Sequence, residues 1–266
     1  MTKYDLELFL QLNEEYEPKK LVTAPPPIQD ASARLTRKRG NAQAIAKNLS
    51  KWIDLRGKTV LDFGCGMGDL DVALAEDFAC NVTGVDVKER PEWKKLTHPR
   101  VERMVLDLSV PENAQRFAGR FDVIASISVL EHVAHPYRAL EGLRTVLKPG
   151  RYAWLKANLY RGPKASHRYR EVHFPWPHLL FTDEVFRQFY ERIGMRYKGA
   201  AWVNKLTHYH YREYFDRVGF EVLKEWFSTT PIDEGFYVRF EEILGRYPRS
   251  DLERDFINVV LRSKSA

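Results

Sequence analysis

Apolar positions along this chain switch repeatedly between helical and strand periodicity. Ala42, Ile45, Ala46, Leu49, Trp52 and Ile53 recur at helical spacing, the mark of a helix with one buried stripe. The apolar run at 60–63 is too short for a helix and is ended by glycines, so it reads as a buried strand. Leu70, Leu74 and Phe78 share one face of a second helix starting near Asp69. Runs at 81–85, 101–106 and 121–126 predict strands two to four. Pro136 opens the next helix, whose stripe is Tyr137, Leu140, Leu143 and Val146, and 152–158 is strand five. Strand and helix in alternation imply parallel β-α-β units, hence an α/β fold.

The alternation breaks after strand five. Residues 159–206 read as an insertion dense in His, Arg and aromatic side chains. Inside it, Thr182 is placed to cap a helix carrying Val185, Phe186, Phe189, Tyr190 and Ile193, stopped by Gly194. A further helix carries Tyr211, Tyr214, Phe215 and Val218 and ends at Gly219. Strands at 220–226 and 256–261 flank a helical stretch at 236–244. At the other end, 1–40 reads as an N-terminal arm, with Pro25, Pro26 and Pro27 enforcing an extended stretch. The expected organisation is this arm followed by one domain over 41–266 that contains the insertion.

Chemistry concentrates where strand one ends. Residues 60–68 read Val-Leu-Asp-Phe-Gly-Cys-Gly-Met-Gly, an acid followed by three glycines spaced by two. Glycine lets the backbone turn sharply and lets a ligand approach where a Cβ would block it. In open α/β sheets, ligands bind at the carboxyl ends of strands. The dinucleotide fingerprint is G-x-G-x-x-G; here the last glycine comes one residue earlier and an acid precedes the set. That acid suits a ligand with a cationic end better than a pyrophosphate. Two more acids end successive strands: Asp86, 24 residues beyond Asp62, and Asp107. An acid at the first of these distances suits ribose hydroxyls.

This arrangement resembles motif I and the following acids of class I S-adenosylmethionine-dependent methyltransferases. Leu130-Glu131-His132-Val133 after strand four and Leu147-Lys148-Pro149-Gly150 before strand five resemble two further family segments, although Arg151 replaces a second glycine. The resemblance is strong over 52–157 and rests on topology alone beyond. It implies a Rossmann-like seven-stranded methyltransferase sheet with helices on both faces, the last strand inserted antiparallel. It also implies S-adenosyl-L-methionine as cofactor, held by Asp62, Gly64, Cys65, Gly66, Gly68, Asp86, Asp107, Leu108 and Ser126, with Asp107 at the adenine amino group.

Composition narrows the rest. An apolar share of 44% is ordinary for a globular chain of 266 residues. Two cysteines, Cys65 and Cys80, make neither a disulfide framework nor a metal-ligand spacing. With no signal pattern and no apolar run long enough to span a bilayer, the expected location is cytoplasmic. Net charge is +6. Arg34, Arg37, Lys38 and Arg39 are read as a solvated basic segment rather than a nucleic-acid contact, since no RNA-binding aromatic motif accompanies them.

Methyl transfer from a sulfonium mainly requires alignment, and an oxygen acceptor also needs a base. His132 is the candidate base; the alternative is that it only packs locally. Arg168, Arg170, His173, Trp176 and His178 are candidate acceptor-binding residues, with Trp176 read either as a stacking platform or as a core anchor. Some quinone-pathway O-methyltransferases bind a divalent ion through E-x-x-E-H; here Ser128 stands at the first position, so no metal is expected. The expected reaction is O-methylation of a small or medium acceptor, a sugar or glycan hydroxyl first. A quinone or phenol hydroxyl and N-methylation are alternatives, and a non-catalytic S-adenosylmethionine-binding subunit is the alternative of another class.

Overall fold

The structure is a computed structural model that describes residues 4–20, 30–197, 199 and 204–264. In chain order the elements are α1 (Leu6–Tyr16), α2 (Ala31–Leu49), β1 (Thr59–Phe63), α3 (Asp69–Phe78), β2 (Asn81–Asp86), β3 (Val101–Val105), α4 (Pro111–Gln115), β4 (Phe121–Ile127), α5 (Pro136–Val146) and β5 (Leu147–Asn158). After β5 come α6 (Pro177–Leu180), α7 (Asp183–Arg192), α8 (His208–Arg217), β6 (Phe220–Thr229), α9 (Glu234–Arg239), α10 (Glu241–Leu244), α11 (Arg249–Glu253) and β7 (Arg254–Ser263). Short 3-10 turns lie at Pro91–Lys94 and Leu130–His132. Among these, no helix is long and apolar enough to cross a membrane.

The seven strands form one sheet in the order β3-β2-β1-β4-β5-β7-β6. Pairing is parallel between β1 and β2, β1 and β4, β2 and β3, and β4 and β5. On β7 the numbering runs against β5: Ser263 Oγ donates to the Lys148 carbonyl at 2.8 Å, whereas Leu159 N–H donates to Asp255 at 2.8 Å. The last strand is therefore antiparallel, as the resemblance implies. Several strands exceed the apolar runs that announced them. β5 starts at Leu147 rather than 152, because ladder bonding continues through a polar stretch that periodicity cannot mark as strand.

The chain divides into two compact units. One comprises Pro27–Ala157, Tyr209–Trp226 and Asn258–Ala266; the other Met1–Pro26, Asn158–His208 and Phe227–Ile257. In the first, the sheet unit, Val60, Val82, Val123, Ala125 and Trp154 pack under Ala46, Leu49, Leu70 and Leu74 of α2 and α3. On the opposite side, Leu61 of β1, Val85 of β2 and Phe121 of β4 line one space with Leu106, just beyond β3, and Val146 of α5. With apolar side chains on both faces, β1 is buried from Val60 to Phe63, as a central parallel strand must be.

The second unit is an aromatic assembly. Phe9 of α1 lies 4.8–5.3 Å, between ring centroids, from Phe174, Phe181, Phe186 and Phe189. Asn13 clamps α1 to the insertion: its carbonyl accepts from His173 N–H at 2.8 Å and its amide donates to the Glu171 carbonyl at 3.1 Å. The expected arm over 1–40 is thus shared out, with α1 in the aromatic unit and α2 in the sheet unit. Its Pro25-Pro26-Pro27 stretch lies outside the described residues. The expected insertion likewise has company, because 227–257 packs with it: Phe236, Tyr237, Phe240, Leu244 and Leu252 belong to the same core.

Candidate functional site

Local chemistry explains the glycine turn. Gly64, Gly66 and Gly68 all have positive φ (77°, 53° and 89°), the region that only glycine enters without strain. Gly64 and Cys65 N–H both donate to the Val85 carbonyl, at 2.8 and 3.0 Å, which fastens the turn to β2. A Cβ on Gly64 would come within 2.3 Å of Val129, so the segment after β4 closes directly on the turn. Around Gly66, by contrast, a Cβ would meet nothing within 4 Å. This is an open approach to backbone at the carboxyl end of β1.

Acids stand around that opening. Asp86 accepts from Gly66 N–H at 3.1 Å and Lys88 N–H at 3.1 Å, so its carboxylate has a set orientation. Trp93 donates its indole N–H to the Gly66 carbonyl at 2.8 Å, tying down the next peptide of the same residue. Asp107 is exposed and accepts from Ser109 N–H and Oγ at 2.8 and 2.7 Å. Leu108 is buried, and its carbonyl lies 2.0 Å from where a Cβ on Gly142 would sit, so α5 packs close only because that residue is glycine. Cys65 and Ser126 are both buried. Burial and the acids nearby push the Cys65 thiol far up, so it stays neutral, and Ser126 Oγ has no hydrogen-bond partner.

After β4 the chain takes a strained step at Ser128, with φ 57°. Glu131 is fully buried and His132 exposed, their side-chain ligand atoms within 4.8 Å of each other. Lys156 on β5 lies in the field of the Glu131 carboxylate, while burial lowers the ammonium's pKa. Lys156, like Trp93, Asp71 and Arg103, escaped the sequence reading. For Lys156 and Arg103 the available signal was a charged residue inside a strand, which needs a partner once buried.

The candidate acceptor residues all lie in the aromatic unit. Trp176 is 1% exposed and donates to the Leu252 carbonyl at 3.2 Å, so its indole is part of that core. His178 Nε2–H donates to the Tyr160 carbonyl at 2.6 Å, which fixes the tautomer. Its Nδ1 is buried without a partner, and burial brings the imidazole down to about 4. Burial also lowers His173. Arg168 lies over Tyr190 and Tyr197, at 5.5 and 5.6 Å, and donates to the Gly199 carbonyl. Arg170 is exposed.

The model of a family described as "Methyltransferase domain" matches residues 34–225. The chain belongs to this methyltransferase family. A ubiquinone biosynthesis O-methyltransferase of Pseudomonas paraeruginosa is 36% identical over 121 residues, 43% of this chain and 51% of that protein. The chain thus spans about half the length of that relative. One of the same name from Erwinia tasmaniensis is 31% identical over 163 residues, 54% of this chain and 67% of that protein. Among solved structures, an S-adenosylmethionine-dependent methyltransferase of Mesorhizobium loti superposes with a TM-score of 0.52 at 18% identity, covering 85% of this chain and 97% of that one. As a methyltransferase-domain protein, the chain carries the family's sheet with its glycine turn open at Gly66 and Asp86 oriented beside it.

Proposed function

We propose that this chain is an S-adenosylmethionine-dependent O-methyltransferase. The observation that carries the reading is the opening at Gly66, where backbone is approachable beside an oriented Asp86, in the turn that follows the buried Asp62. The donor set fits the cofactor. Asp86 offers a carboxylate for ribose hydroxyls, Asp107 an exposed acid for the adenine amino group, and Asp62 a buried acid for an ammonium. Bound there, the cofactor supplies a methyl group already activated on sulfonium. The chain's own residues then bind, orient and exclude water. His132 holds the acceptor's proton at an imidazole nitrogen, the task an oxygen acceptor sets.

Transfer to oxygen is supported by what the curated relatives' names say of those proteins. The same names favour a phenolic or quinol hydroxyl over a sugar hydroxyl as acceptor. The side chains of 159–206 are proposed to select it, with Arg170 exposed and His173 half-buried, while Arg168 is held over Tyr190 and Tyr197. The test is calorimetry with S-adenosylmethionine and, side by side, a nicotinamide dinucleotide, followed by product analysis on phenol and sugar panels. Expected are donor binding, no dinucleotide binding and a methylated phenol. Donor binding without product on any panel would favour a non-catalytic subunit.

A further inference from the structure

Behind the glycine turn lies a buried charged network. Asp71, in the first turn of α3, is 0% exposed, and Asp62, at the end of β1, is 3% exposed. Arg103 reaches in from β3. Its Nε donates to Asp71 Oδ2 at 2.6 Å, and its two terminal nitrogens donate to the Leu96 carbonyl at 2.6 Å and the Gly68 carbonyl at 3.0 Å. The backbone makes room for the pair. A Cβ on Gly84 would sit 2.5 Å from Asp71 Oδ2, and one on Gly68 would sit 2.2 Å from Arg103 Nε. A guanidinium this well satisfied makes a buried carboxylate tolerable.

The other oxygen of Asp71 poses the question. Oδ1 is buried and has no N–H or hydroxyl donor, a costly state for a carboxylate oxygen. The group that stands against Asp71 is the carboxyl of Asp62. Burial first, then the charge of Asp71 and a hydrogen bond to it, hold Asp62 well above the ordinary carboxylate range; Asp86 adds to this and Arg103 opposes it. Burial raises Asp71 too, but the hydrogen bond from Asp62 and the guanidinium of Arg103 both favour its ionised form, so the proton belongs to Asp62 and is donated to Asp71. The remaining groups around the pair are the Cys65 thiol, held neutral, and Asp69, whose charge adds to the negative field.

We propose that Asp62 and Asp71 share one proton in the free protein, that Arg103 positions the pair, and that a donor's ammonium docking beside Asp62 expels the proton to solvent. The inference rests on the reading that S-adenosylmethionine binds this turn. Charge balances: one ligand cation enters, one proton leaves, and the electron pair of the broken O–H bond stays on Asp62. Asp71 and Arg103 are positioning residues, acting on the ligand through Asp62 and the Gly68 carbonyl.

The test is calorimetry with S-adenosylhomocysteine, which carries the same ammonium without the sulfonium. It is run below about pH 7, where an amine of this kind stays protonated, in two buffers of different ionisation heat. Proton release on binding is expected, with affinity falling by up to about tenfold per pH unit on acidification. Asp71→Asn keeps a polar group against Arg103 and removes the charge that holds the proton, so it should bind without releasing one. Infrared difference spectroscopy on the wild type, which needs no variant to fold, should show a protonated carboxyl band lost on binding. Binding with no proton release and no lost band overturns the shared proton, as does release persisting in Asp71→Asn. No binding at all overturns the donor reading itself, and this inference with it.

Discussion

Asp86 and His132 divide the proposed work between holding and reacting. Asp86 is pre-set by two backbone N–H groups, so it offers ribose hydroxyls a carboxylate in one orientation. Charge-assisted hydrogen bonds contribute about 1.5–3 kcal/mol each. Asp86→Ala should therefore weaken S-adenosylmethionine by at least about tenfold, read by calorimetry; unchanged affinity would remove Asp86 from the site. His132 is exposed beside the buried Glu131. His132→Ala should lower kcat by roughly 10²–10⁴-fold while donor affinity holds, and near-normal turnover would place the base elsewhere. At this scale the acids were legible because each closes an apolar run. Arg103 and Asp71 were not, since a charge's partner lies on another element and only the fold brings it near.

The glycine turn works as an element whose two outer glycines are filled and whose middle one is open. Val129 crowds Gly64, Arg103 crowds Gly68, and nothing crowds Gly66. Gly68→Ala would place a Cβ at φ 89°, 2.2 Å from Arg103 Nε, and break the contact that steadies the turn. Left-handed backbone costs a residue with a Cβ about 1–2 kcal/mol. Gly57, at φ 68° with open space around it, is the matched control. In denaturant melts Gly57→Ala should lose only the strain, and Gly68→Ala should lose more, because the buried Arg103–Asp71 pair is disturbed as well. Only Gly68→Ala should also lose donor affinity, by about tenfold or more, and equal affinities would show that Arg103 has no hold on the turn.

At the scale of the whole chain, three separated segments build a unit with its own apolar core. Trp176 sits inside it, and Trp176→Ala should cost about 3–5 kcal/mol in stability while sparing donor affinity in the sheet unit. His178 makes that core sensitive to acid. Burial brings its imidazole down to about 4 in the folded chain, from the ordinary 6.5. The unfolded state therefore takes up a proton first as pH falls. The contribution of His178 is constant above about pH 6.5 and declines toward pH 4, by up to about 3 kcal/mol. In His178→Gln, which keeps a donor for the Tyr160 carbonyl, denaturant melts across that range should lose this slope. A slope unchanged from wild type would assign the acid sensitivity to another group.

Local pattern was enough for the sheet. Each parallel strand announced itself as an apolar run, the first three ended by an acid or glycine, and α3 and α5 by a stripe at 3.6-residue spacing, whereas the short α4 carried no such stripe. Those signals are written in neighbouring residues, and the hydrophobic effect acts on them wherever they fold. What escaped local pattern was held by contacts between distant segments. The company kept by α1 and 227–257 follows from aromatic packing that no periodicity encodes. The same holds for Trp176 and His178, polar-tipped rings whose burial depends on Leu252 and Tyr160. The pairing of Arg103 on β3 with Asp71 on α3 likewise became visible only once β1, β2 and β3 lay side by side under α3, because a buried carboxyl's proton depends on every group the fold sets against it.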